Sequence, residues 1–177
     1  MAITVRHATL GDEQPLHALA TLTFGLACPP GTEQTDIDAF VATHLSAERF
    51  AGYLTDPART LLLVSEDDQP LGYSMLVRGP IADPDVAAVV DAATSVELSK
   101  FYVTAERHGS GTAHALMTAT LVEAAATGAA SCWLGVNQQN VRAAKFYAKH
   151  GFGIVGVKRF LVGSVWHDDH IRSRALR

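Results

Sequence analysis

The sequence has few cysteines and no long apolar run. Only Cys28 and Cys132 are cysteines among 177 residues, and they match no zinc or redox spacing. So few cysteines are typical of a reduced compartment. No stretch approaches the roughly 18 apolar residues of a membrane span, and the first residues carry no apolar signal core. We therefore expect a cytoplasmic protein that does not bind membranes.

An excess of basic residues is also missing. The chain has 14 Lys and Arg against 18 Asp and Glu, for a net charge of −4. This balance argues against general binding to nucleic acid, which needs a basic surface. Internal repeats and low-complexity linkers are absent as well. Because 48% of the residues are hydrophobic, the chain can bury a core, and its length suits a single domain over residues 1–177.

The periodicity predicts strands and helices in alternation. Alternating and β-branched runs predict the strands, and apolar residues at helical spacing predict the helices. Asp12 and Ser46 are expected as helix caps. The order predicts one mixed α/β domain. The predicted strands are 3–8, 60–66, 71–77, 96–105, 131–136 and a terminal hairpin over 153–176. The first predicted helix begins at Gly11 and Asp12, and three more cover 35–45, 46–54 and 113–124, the last of which Gly128 ends. A final helix begins at Asn140 and is stopped by Gly151.

A turn of small residues, "GSGTA" from Gly109 to Ala113, separates the strand 96–105 from a helix. The first amides of a helix have no internal partner, and the helix dipole adds about half a positive charge there. Without bulky side chains, such amides can close around a phosphate oxygen. A tight turn with close packing explains the same residues equally well. The spacing is neither the dinucleotide fingerprint nor a P-loop.

A second segment favours the phosphate-binding interpretation of this turn. "VNQQNVRAAKFYAKHGF" carries Asn140, Ala143, Tyr147 and the pair Gly151-Phe152. Together with "ELSKFYVTAERHGSGTAHALM", it resembles the GNAT superfamily of acyl-CoA-dependent N-acyltransferases. The family's pyrophosphate motif Q/R-x-x-G-x-G/A is matched by His108-x-x-Gly111-x-Ala113, where His108 replaces the usual Gln or Arg. The resemblance implies a mostly antiparallel mixed sheet that splays between its fourth and fifth strands.

The resemblance also implies where acetyl-CoA binds. Strand 96–105 would pair with the pantetheine, and a bulge would free the Val103 amide to stabilise the thioester oxyanion. No metal is expected. The acyl-CoA core would cover 96–152, while residues 10–58 and 79–95 would form the acceptor site. The implied contacts to the cosubstrate are Phe101, Tyr102, Val103, His108, Gly109, Ser110, Gly111, Thr112, Ala113, Asn140, Ala143, Phe146 and Tyr147.

Two residues are candidates for proton transfer. Tyr147 is the implied general acid for the leaving thiolate; by helix periodicity alone it is a core aromatic residue. Glu97 is the candidate base for the incoming amine, directly or through water; otherwise it is an ordinary exposed carboxylate. Two-residue alternation places Glu97, Ser99, Phe101 and Val103 on one face of the strand.

The resulting hypothesis is an N-acetyltransferase that acts on a primary amine by direct attack in a ternary complex. The alternative is a non-catalytic acyl-CoA-binding sensor or regulatory module. A dinucleotide-binding protein is a third reading, but it lacks the acidic residue that ribose recognition needs. The segments 29–57 and 160–176 are similar to the branch of the family that includes bacterial polyamine acetyltransferases. Homodimers are frequent in the family. Solvated loops or a polycationic acceptor would explain the acidic residues Glu33, Asp36, Asp38, Glu48, Asp83, Asp85 and Asp91.

Three further features are expected to have structural or surface roles. Cys132 is expected to be a small buried residue rather than an acyl carrier. "WHDDH" (166–170) looks like a metal cluster, but it lies in a strand, where neighbouring side chains point to opposite faces. We therefore expect it on the polar surface of the last hairpin. The basic residues Arg142, Lys145 and Lys149 are expected on a solvated helix face, where one could meet the 3′-phosphate of CoA.

Overall fold

The computed structural model describes residues 2–177, and its strands form one sheet. The sheet has seven strands in the order β1-β2-β3-β4-β5-β7-β6. Neighbouring strands are antiparallel except for the parallel pair β4 and β5. The predicted mixed sheet is therefore confirmed. Its strands are β1 (Ile3–His7), β2 (Arg59–Glu66), β3 (Gln69–Val77), β4 (Ser95–Val103), β5 (Ser131–Asn137), β6 (Gly153–Val162) and β7 (Val165–Ala175).

Six α-helices cover the two faces of this sheet. Ser46 caps the third helix by accepting a hydrogen bond from the Arg49 amide, as predicted. Asp12 stands at the start of the first helix but does not cap it, because its carboxylate binds Arg6 and the Thr9 amide instead. The helices are α1 (Glu13–Ala27), α2 (Gln34–His44), α3 (Ala47–Thr55), α4 (Pro84–Ala87), α5 (Thr112–Ala126) and α6 (Val141–Lys149).

The short helix α4 lies in the connection between β3 and β4, where the sequence pattern predicts no helix or strand. Its four residues begin at Pro84, and the Asp83 side chain accepts a hydrogen bond from the Asp85 amide. A single turn carries too few residues to show a helical period, which explains why the pattern missed it. Val86 is fully buried, so α4 fixes the connection onto the sheet. No helix within residues 2–177 is long and apolar enough to cross a membrane.

Each face of the sheet has its own core. On one face, Leu16 and Phe24 of α1 pack with Phe50 of α3 and Tyr73 of β3. On the other face, Met117 of α5 packs against apolar residues of β4 and β5. We call the first the α1 face and the second the α5 face. The separation matters for function because each face meets one end of the cavity described below.

The parallel strands β4 and β5 pair over only three residues each. Ser95, Val96 and Glu97 lie opposite Ser131, Cys132 and Trp133, and no pairing continues beyond Glu97. The two strands then diverge. This is the splay that the resemblance implied, and it opens the middle of the sheet.

Strand β4 is irregular just where the splay begins. Its register against β3 shifts between Leu98 and Lys100, which leaves Ser99 as the extra residue of a β-bulge. The predicted alternation is therefore wrong. Phe101 and Val103 pack on the α5 face, whereas Glu97 lines the α1 face beside Trp133. One inserted residue shifts every later side chain to the opposite face.

Candidate active site

A cavity of about 380 Å³ occupies the gap between β4 and β5. It reaches both faces of the sheet, since residues of α5, α6 and α1 all contribute to its walls. On the α5 face it is bounded by the glycine turn and by α6. On the α1 face it is bounded by aromatic residues and a group of charged side chains. We call these parts the cosubstrate half and the acceptor half.

The glycine turn stands at the entrance of the cosubstrate half. Gly109 and Gly111 have φ values of 83° and 88°, which L-residues with side chains rarely adopt. Gly111 is the N-cap residue of α5, so the free amides of the first turn lie at this entrance. His108, Gly109 and Ala113 line the cavity itself, and the hydroxyls of Ser110 and Thr112 lie 2.9 Å apart in a hydrogen bond. The turn therefore offers amide donors to an anionic group.

His108 has a defined place although it departs from the family motif. Its Nδ1 lies 2.5 Å from the Arg142 guanidinium, and its Nε2 lies 3.1 Å from the Val103 carbonyl oxygen. Since arginine only donates, Nδ1 accepts and Nε2 carries the proton that is donated to Val103. The imidazole ring thus links the glycine turn, β4 and α6. Of the three basic residues of α6 that the sequence singled out, only Arg142 lines the cavity.

The backbone of β4 presents an open edge to this half. The Thr104 amide donates to Leu71 of β3 at 2.9 Å, and Val103 lies opposite Gly72. Hydrogen-bonded and non-bonded pairs alternate along antiparallel strands. The Val103 amide therefore points toward the gap, away from β3. Tyr102 behaves in the opposite way: it pairs with Tyr73, and its side chain packs on the α1 face.

Helix α6 supplies the other wall. Tyr147 lines the cavity and packs edge-on against Phe101, with 6.3 Å between ring centroids. Burial raises the pKa of the Tyr147 phenol well above its usual value, so the hydroxyl keeps its proton at neutral pH. Asn140 caps α6 by accepting the Ala143 amide at 3.1 Å. This uses the side-chain oxygen, and Asn140 also lines the cavity. Ala143 and Phe146 also line it.

Glu97 stands at the base of the acceptor half. Burial raises the pKa of its carboxyl, while the positive charges of Lys100, Lys158 and Arg59 partly oppose the rise. A carboxylate with a raised pKa is a stronger base. Glu97 also borders a second cavity of about 340 Å³ beneath the connection between β3 and β4. It therefore lies where the two cavities adjoin.

Four charged or titratable residues of this half were not predicted as site residues: Lys100, Lys158, His167 and Asp169 all line the cavity. The sequence pattern does not predict Lys100 in the site, because only the bulge at Ser99 turns its side chain to this face. His167 and Asp169 were expected on the hairpin surface, and that expectation is wrong, since Asp169 is only 7% exposed. Alternation along β7 had already placed these two residues on one face, and only the direction of that face was unknown.

The other assigned features have clear places. Cys132 is fully buried, as predicted, and burial raises the pKa of its thiol to about 12. Such a thiol stays protonated and is a poor acyl carrier. Within residues 2–177, no group of three or more His, Cys, Asp or Glu side chains is arranged to hold a metal ion. Of the seven acidic residues considered for a polycationic acceptor, only Asp83 lines either cavity.

Comparison with known proteins identifies the family. The family model described as "Acetyltransferase (GNAT) family" matches residues 29–152. The chain is 45% identical over 165 residues to a protein of Mycobacterium tuberculosis that is named an uncharacterized N-acetyltransferase. That match covers 93% of this chain and 98% of the relative.

Solved structures agree in fold. The PaiA N-acetyltransferase of Thermoplasma acidophilum, in complex with coenzyme A, superposes with a TM-score of 0.78 at 20% identity, covering 99% of both chains. The spermidine/spermine N-acetyltransferase SpeG of Vibrio cholerae gives a TM-score of 0.66 at 18% identity, covering 98% of this chain and 92% of that one. The extent of the family match and the identity to the mycobacterial relative decide the assignment: the chain belongs to the GNAT family and is an acyl-CoA-dependent N-acyltransferase.

Proposed function

We propose that the protein transfers an acetyl group from acetyl-CoA to a small primary amine, by direct attack within a ternary complex. One observation carries this proposal: a single cavity crosses the sheet at the splay, with anion-binding amides at one end and a carboxylate at the other. Such a passage lets a thioester and an amine meet from opposite faces.

The residues of the cosubstrate half fit the chemistry of acetyl-CoA. The amides of the glycine turn would hold the pyrophosphate, and the open edge of β4 would pair with the pantetheine arm. The Asn140 amide nitrogen would add a donor. The bound cosubstrate supplies an activated acetyl group. The Val103 amide would donate a hydrogen bond to the thioester oxygen as negative charge develops there.

Glu97 and Tyr147 would move the protons. A primary amine is charged at neutral pH and must lose a proton before it attacks. Glu97, on the acceptor side, would accept that proton directly or through water. Tyr147, on the cosubstrate side, would donate its phenolic proton to the departing sulfur. The amine would add to the carbonyl carbon, and the tetrahedral intermediate would then re-form the C=O bond as the C–S bond breaks and the sulfur takes the Tyr147 proton.

The first experiment measures release of the CoA thiol from acetyl-CoA with a panel of amines. The panel contains amino acids, polyamines, aminoglycosides, arylamines and short peptides, and Tyr147→Phe is run beside the wild type. We expect turnover with one class of amine and a strong loss in the variant. CoA that protects the fold from heat without any turnover over the panel would overturn the proposal in favour of an acyl-CoA-binding module.

A further inference from the structure

The acceptor half holds charges of both signs that do not neutralise each other at close range. Lys100 and Lys158 lie among the lining residues with Glu97 and Asp169. Among the described residues, none of these four makes an ion pair within 4.0 Å. Charges in a partly buried cavity are costly unless a partner compensates them.

Lys158 already has a compensating neighbour. It lies opposite Asp169 in the register of β6 and β7. Both side chains lie over Gly135, since a Cβ placed there would come within 2.6 Å of Lys158 Cε and 3.5 Å of an Asp169 carboxylate oxygen. The positive charge of Lys158 helps to keep Asp169 ionised against burial. These two residues therefore balance each other across one strand pair.

Lys100 has no such partner of its own. Its ammonium lies 5.5 Å from the centroid of the Tyr53 ring, and the Arg59 guanidinium lies 4.8 Å from the same centroid. Glu97 is the carboxylate on the same stretch of β4, but as the proposed base it must remain free to take a proton. Once protonated, Glu97 no longer offsets Lys100. Burial lowers the pKa of Lys100 to about 8, so Lys100 is still charged in most molecules at pH 7.

Aromatic and aliphatic side chains form another part of the wall of the acceptor half. Phe24 and Phe40 stack with 4.3 Å between ring centroids, and Phe160 lies 5.6 Å from Phe40. All three line the cavity together with Leu26 and Val162. A polycationic chain gains little from such walls, whereas an apolar side chain gains about 25 cal/mol for each Å² that it buries.

We propose that the acceptor is an apolar α-amino acid, whose amine meets Glu97, whose carboxylate pairs with Lys100 and whose side chain packs among Phe24, Phe40 and Phe160. This assignment rests on the proposed function, because it places the amine at the base of that reaction. Lys100 is then a specificity-determining residue for the acceptor. The carboxylate supplies the partner that the lysine lacks within the chain.

The test compares three amines that differ in charge and shape: L-phenylalanine, phenethylamine (which lacks the carboxylate) and spermidine. We expect kcat/KM for L-phenylalanine to exceed that for phenethylamine by about tenfold or more, because only the amino acid has a carboxylate to pair with Lys100. In Lys100→Met, the value for L-phenylalanine falls to that for phenethylamine, which itself changes little. Arg159→Met is the control, because Arg159 follows Lys158 on β6 but is exposed and lines neither cavity.

Binding separates this inference from the proposed function. Calorimetric titration of L-phenylalanine is made with CoA present, in the wild type and in Lys100→Met. Binding that depends on Lys100 without any thiol release would support the amino-acid site and overturn the proposed reaction. A preference of the wild type for spermidine or phenethylamine, an equal loss for both aromatic amines in Lys100→Met, or no binding of L-phenylalanine would each overturn the inference.

Discussion

Glu97 and Phe101 lie on opposite faces of β4 although four positions separate them. In a regular strand, residues an even number of positions apart share a face. The bulge at Ser99 breaks this rule. It lets one strand present a carboxylate to the acceptor half and apolar side chains to the opposite face.

Tyr147→Phe removes the proposed acid and keeps the aromatic ring. The packing against Phe101 and Phe152 does not use the hydroxyl, so the fold should be unchanged. We expect kcat to fall about 10²-fold, within the range for loss of a general acid, with little change in affinity for CoA. The measurement is steady-state kinetics beside titration of CoA. A variant with wild-type kcat would show that another group protonates the sulfur.

Glu97→Gln removes the proposed base. The wild-type reaction needs Glu97 ionised, so kcat/KM should fall as pH drops through its pKa, which burial raises above the usual value. In the variant, only acceptor that is already uncharged can react. We therefore expect the loss of about 10²-fold at pH 7 to shrink toward pH 9. A loss that is equal at every pH would point to a structural role instead.

Gly111→Ala tests the glycine turn. The positive φ of Gly111 strains any side chain although the space around it is open, and the cost is about 1–2 kcal/mol. We expect lower thermal stability and a several-fold higher KM for acetyl-CoA. Gly52→Ala in α3 is the control, because its Cβ meets nothing within 4 Å and its φ is ordinary. An unchanged KM in Gly111→Ala would remove the turn from the cosubstrate site.

Lys100→Met should stabilise the free protein at pH 7. Burial lowers the pKa of Lys100 to about 8 from 10.5, so the folded state disfavours the charged form. Between pH 8 and pH 10.5 the unfolded chain binds more protons than the folded protein, so the free energy of unfolding rises with pH. We expect the variant to gain on the order of 1–3 kcal/mol at pH 7 and to lose this rise with pH.

Urea unfolding at pH 7 and pH 10 measures both effects. Arg159→Met is again the matched control, since that residue is exposed. A destabilised Lys100→Met at pH 7 would mean that the lysine already has a strong partner in the free protein. In that case its charge would not be available to an acceptor.

Much of the fold was predictable because its signals are local. Capping at Ser46, the glycine end of α6 at Gly151 and the turn before α5 each depend on a few neighbouring residues. The hairpin of β2 and β3 was predicted for the same reason; its tight turn places Asp67 and Asp68 at positive φ. There are two exceptions. Helix α4 is too short to show a helical period, and Asp12 does not cap α1 because its carboxylate binds Arg6 and the Thr9 amide instead.

The sequence by itself determined the family, the order of strands and helices and the location of the glycine turn, since these follow from periodicity and contiguous motifs. Only the tertiary structure decided which face each strand turns to the cavity. A bulge at one residue of β4 and the pairing of β7 between β5 and β6 brought Lys100, Lys158 and Asp169 beside Glu97. Alternation along a strand tells which side chains share a face, but it does not tell which of the two faces meets the cavity. That is set by the strands and helices that pack against the strand.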